Sequence, residues 1–135
     1  MRCAPLIIAL SLAACAGQTY NADLAVRDAQ FALSTISSEV AFELRQNGKE
    51  ALAAQIEKDA ADVSALIQIL LDEATPNLDK LRTTLKAVES RVMEEIGKQD
   101  PERRDLWAHR VNQIHTTVAY LIDRYESSQA AKVDG

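Results

Sequence analysis

Residues 70–81 read Leu70-Leu71-Asp72-Glu73-Ala74-Thr75-Pro76-Asn77-Leu78-Asp79-Lys80-Leu81. An apolar run ends here and another begins, with a proline between them. Proline lacks a backbone donor and clashes with the preceding turn, so a helix arriving from residue 70 stops before Pro76. Thr75-Pro76 then reads as an N-cap followed by a first-turn proline, which opens a new helix. Two helices joined by so short a link lie antiparallel.

Working outward, the same punctuation recurs. Asn47-Gly48 ends the segment upstream, and Gly97 followed by Asp100-Pro101 ends and restarts the chain downstream. The breakers define four segments: about 21–46, 49–74, 76–97 and 101–127. Each carries apolar residues at alternating steps of three and four, which marks one buried face per helix. In the first they are Val26, Ala29, Leu33, Ile36, Val40 and Leu44. In the second they are Leu52, Ile56, Val63, Ile67, Leu70 and Ala74. The third has Leu78, Leu81, Leu85, Val88, Val92 and Ile96. The fourth has Trp107, Val111, Ile114, Val118, Leu121 and Tyr125.

Rods of this length span roughly 33–39 Å. The near-heptad spacing favours shallow crossing angles and coiled-coil-like packing. The expected fold is all-α, an antiparallel up-down-up-down four-helix bundle over residues 21–127. Two helical hairpins that complete their core in a dimer are the alternative. Residues 128–135, SSQAAKVDG from Ser127 onward, read as a frayed, disordered tail.

Composition agrees. The chain has 135 residues, 4 glycines, 1 tryptophan and a formal charge of −5. Residues 15–75 carry ten acidic and four basic side chains, and residues 76–135 carry ten of each. Neither half is basic, so nucleic acid is not an expected partner. Electrostatic adhesion to anionic lipid is not expected either.

The first 14 residues, MRCAPLIIALSLAA, are of a different kind. Arg2 precedes an apolar run, the layout of a secretory signal. That run is shorter than the roughly 20 residues needed to cross a bilayer. Leu12-Ala13-Ala14-Cys15 resembles the lipobox of bacterial lipoproteins. The resemblance covers residues 1–16 and implies cleavage between Ala14 and Cys15. It also implies diacylglycerol on the Cys15 sulfur and an acyl chain such as palmitate on its amine. Several acyl chains on one residue hold a protein stably at a membrane. Residues 15–20 become a lipid attachment point and a tether whose reach is about 17 Å. Ala16, rather than Asp, after the cysteine leans toward the outer membrane. Ala14-Cys15-Ala16 also fits ordinary signal cleavage, which releases a soluble periplasmic or secreted protein starting at Gly17. Removal of Cys3 with the signal and lipidation of Cys15 leave no thiol for a disulfide or a metal.

No chemistry is legible in the remaining motifs. Glycine-rich phosphate loops, the His-Glu-x-x-His zinc helix, the Gly-x-Ser-x-Gly elbow and Cys-x-x-Cys-His are absent from the sequence. A di-iron bundle needs Glu-x-x-His, but Leu106 and Asn112 precede His109 and His115 by three. Asp105 and His109, four apart, are at most half of a surface zinc site. Glu94-Glu95 reads as surface charge. No cofactor is expected, and the chain is not expected to be an enzyme.

One seam stands out. Leu24, Phe31 and Phe42 share a line about 140–220° away from the Val26–Val40 stripe of the first helix. Thr35 and Ser38 lie along it. Either this helix is wedged between neighbours that bury both sides, or the line is an exposed apolar strip for a partner. Tyr120 on the fourth helix also faces away from its stripe and joins the expected partner surface. The function expected is that of a membrane-anchored envelope lipoprotein. Its bundle contacts another envelope protein or a second copy of itself, as an adaptor, assembly factor or inhibitory or exclusion protein. The alternative is a bundle that binds or senses a small ligand or metal in the periplasm.

Overall fold

The structure is a computed structural model that describes residues 21–72 and 75–134. Four helices follow one another: α1 (Ala22–Gln46), α2 (Glu50–Leu71), α3 (Leu78–Ile96) and α4 (Pro101–Asp134). Among the described residues there is no strand. Each helix packs against its two neighbours in a ring, α1 on α2, α2 on α3, α3 on α4 and α4 on α1, with thinner contacts across the diagonals. This is the antiparallel four-helix bundle. The core closes within one chain, so the paired-hairpin alternative falls away.

The core is built on the expected stripes, except Ala74, which lies outside the described residues. Val26, Leu33, Ile36, Val40 and Leu44 of α1 meet Ile56, Val63, Ile67 and Leu70 of α2. Leu81, Leu85, Val88 and Val92 of α3 and Trp107, Ile114, Val118, Leu121 and Ile122 of α4 complete it. Burying an aliphatic side chain of this size is worth about 1.5–3 kcal/mol. Alanines 25, 29, 32 and 41 of α1 and 53 and 60 of α2 are also buried, so small side chains lie where neighbouring helices approach α1 and α2. Leu52, Leu78, Ile96, Val111 and Tyr125 are only half-buried where they pack against this core.

Helix ends show how local chemistry places the turns. Gly48 has φ +73°, a conformation that only glycine adopts at little cost. Its N–H donates to the Arg45 carbonyl and that of Lys49 to the Leu44 carbonyl, the paired bonds of a Schellman motif. At the fourth helix the Asp100 carboxylate accepts from the Arg103 N–H at 3.0 Å, and Pro101 occupies the first helical position as expected. The third helix differs. Its N-cap is Asn77, not Thr75; the Asn77 side chain accepts from the Lys80 N–H at 2.9 Å. Asn is the stronger capping residue, and Pro76, placed outside the helix, holds Thr75 away from helical geometry.

The second difference is at the end of α4. The helix continues through SSQAAKVD to Asp134, where a disordered tail from residue 128 was expected. Ser127–Lys132 contain no glycine or proline, and nothing in their backbone requirement stops a helix already nucleated upstream. Among the described residues no helix is long and apolar enough to cross a membrane. Cys15, the cleavage position at Ala14 and the tether to residue 20 lie outside the described residues.

Candidate functional site

α1 presents its stripe to the core and its alanines to the flanking helices, which leaves one line of side chains outward. Leu24 is 53 % exposed, Phe31 70 % and Phe42 60 %. The wedge alternative is excluded: the neighbours that bury Ala25, Ala32 and Ala41 do not reach the phenylalanines. Between them, the Thr35 hydroxyl donates to the Phe31 carbonyl at 2.9 Å, and Ser38 is exposed. Beside Phe31 a shallow groove between α1 and α4 is lined by Asp28, Ala32, Leu106, His109 and Arg110. Leu106, itself well exposed, extends the apolar surface onto α4.

Tyr120 is not part of this surface. It is half-buried and packs against the core, which corrects its assignment to the strip. Asp105 and His109 are both exposed, and no group of three or more His, Cys, Asp or Glu residues converges among the described residues. Among the described residues no third ligand joins this pair, and zinc sites need three or four. Glu95 is also corrected. It is buried at the end of α3, where its carboxylate accepts from the Lys98 ammonium at 3.2 Å. That hydrogen bond holds the Lys98 ammonium charged above the usual lysine range.

One feature is not readable in the sequence. A groove of about 540 Å³ opens between α3 and α4, floored by Leu85, Val118 and Ile122. Two contacts span it at different levels: the Arg82–Glu126 ion pair at 3.5 Å and a hydrogen bond between His115 Nδ1 and Glu89 Oε2 at 2.9 Å. The only signal for it was apolar width on α4, where Val118, Leu121 and Ile122 exceed a single stripe. His115 is exposed and hydrogen-bonded to Glu89.

Neither a protein-family model, nor a curated protein, nor a solved structure matches this chain.

Proposed function

We propose that this protein is a lipid-anchored envelope protein that works by protein–protein contact through α1, without catalysis. The single observation that carries the contact is the uncovered Leu24–Phe31–Phe42 line, with both of the chain's phenylalanines in it. Large apolar side chains grouped on one line are a recognised signature of interaction surfaces. The address rests on the lipobox-like residues 12–15. Lipid on Cys15 holds the bundle on the periplasmic side, with the outer membrane favoured, and presents α1 to a neighbour as an adaptor, assembly factor or inhibitor.

Photo-crosslinking residues at positions 31 and 42 in living cells test the contact, with exposed Ala54 on α2 as the control. Intermolecular adducts at 31 and 42 but not 54 are expected. Adducts confined to one chain remove the contact reading. Replacing Cys15 by serine is expected to release the protein from membranes; an unchanged distribution removes the lipid anchor.

A second reading is favoured by the α3–α4 groove. Its volume and apolar floor suit a small amphipathic ligand, which makes the bundle a sensor. A molecule co-purifying from the native host and lost on Ile122→Glu substitution supports it.

A further inference from the structure

The α1 surface line has a symmetry of its own. Leu24, Asp28, Phe31, Thr35, Ser38 and Phe42 are separated by four, three, four, three and four residues. The spacing is the same read in either direction, and its centre is level with Leu33. Laid antiparallel on a second α1 about that centre, Leu24 meets Phe42, Asp28 meets Ser38 and Phe31 meets Thr35. Apolar ends face each other, and the carboxylate faces a hydroxyl that donates to it. Laid parallel, residues of the same number meet, and the two Asp28 carboxylates oppose one another. Like charges juxtaposed at a contact are unfavourable, so the charge pattern selects the antiparallel arrangement.

We propose that the partner of α1 is a second copy of this chain, docked antiparallel in the register Leu24–Phe42, Asp28–Ser38 and Phe31–Thr35. The proposal rests on the reading that α1 is the contact surface. The contact is isologous, so one two-fold axis closes it and no filament follows. Its size is adequate. Leu24, Phe31, Phe42 and Leu106 are 44–70 % exposed. With side chains on the order of 200 Å², they offer roughly 400 Å² per copy. The polar members of the line bring the pair to the lower edge of specific interfaces, about 1,000–1,200 Å² in total. Residues 15–75 are net acidic, so two copies repel at long range, and salt strengthens the pair by screening. Both Cys15 tethers reach one bilayer when the two-fold axis is normal to it and the paired helices lie parallel to its surface.

Disulfide trapping decides the register. The full chain with Cys3 and Cys15 replaced by serine receives either Asp28→Cys or Ser38→Cys, and its circular dichroism is compared with that of the parent. In the proposed register positions 28 and 38 of opposite copies face each other, whereas 28 and 28 lie about 15 Å apart along the axis. Oxidation of the two variants mixed is expected to give the 28–38 heterodimer, with little product from either alone. A dominant 28–28 product overturns the register. Sedimentation at about 100 μM is expected to show a dimer that Phe31→Glu with Phe42→Glu converts to a folded monomer. A monomeric parent overturns the proposal. In that event, adducts in cells between position 31 and a different protein keep α1 as a contact surface, and their absence removes that reading as well.

Discussion

The Trp107 indole, fully buried on α4, donates its Nε1–H to the Glu39 carboxylate on α1 at 2.8 Å. The Arg103 guanidinium sits 5.9 Å from the centroid of the same ring and also holds Glu43 of α1 at 2.6 Å. The chain's one tryptophan thus joins core packing to a polar clasp between the first and last helices. That clasp closes the ring of four.

Trp107→Ala is expected to cost about 3–5 kcal/mol of unfolding free energy, as for other large-to-small core substitutions. Trp107→Phe keeps most of the packing but strips Glu39 of its donor, and about 1–3 kcal/mol is expected. Urea denaturation followed by circular dichroism measures both. A Phe variant as stable as the parent would show that the clasp contributes nothing.

The two candidate caps of α3 are separable. Asn77→Ala is expected to destabilise by about 1 kcal/mol, and Thr75→Ala by much less. The reverse order in thermal melts would return the N-cap to Thr75.

Gly48 has open space around the position of a Cβ, so steric contact plays no part in its requirement. Its positive φ does. Gly48→Ala is expected to cost about 1–2 kcal/mol from backbone strain alone, and Gly48→Asn less, since asparagine tolerates this conformation. Equal melting temperatures for the three proteins would refute the assignment.

Arg45 ties α1 to α2 by bonding Glu50 at 2.9 Å and Glu57 at 2.7 Å. The hydrogen bond from Arg45 holds the Glu57 carboxyl below the usual glutamate range. A carboxylate whose folded pKa is depressed stabilises the fold above its unfolded value and loses that contribution as pH falls through the folded value. Arg45→Gln is therefore expected to melt below the parent at pH 7, with the gap narrowing as pH falls beneath about 4. The gap is small because both groups are solvated and screened. Melts across pH 3–7 check its direction.

At concentrations low enough to keep the chain monomeric, Phe31→Ser and Phe42→Ser are expected to change stability by less than about 0.5 kcal/mol, because neither side chain contributes to the core. Ile36→Ala, between them on the same helix and fully buried, is expected to cost about 2–5 kcal/mol. Similar losses at both kinds of site would mean that the strip is structural.

The sequence by itself determined the four helices, their order and the faces they bury. Those properties are local. A 3.6-residue period writes the stripe from Val26 to Leu44, Gly48 and Asp100-Pro101 punctuate the chain, and short links leave antiparallel packing as the simplest course. Tertiary structure alone decided what covers the remaining faces. Phe31 and Tyr120 look alike in sequence, each large and off its stripe. Phe31 stays in solvent because the neighbours of α1 sit against its alanines. Tyr120 packs half-buried against the core. Glu95 is buried and Glu94 is not for the same kind of reason, and the α3–α4 groove exists only where two helices fail to close. Whether a face is covered depends on residues distant in the chain, and no periodicity within a single helix encodes that.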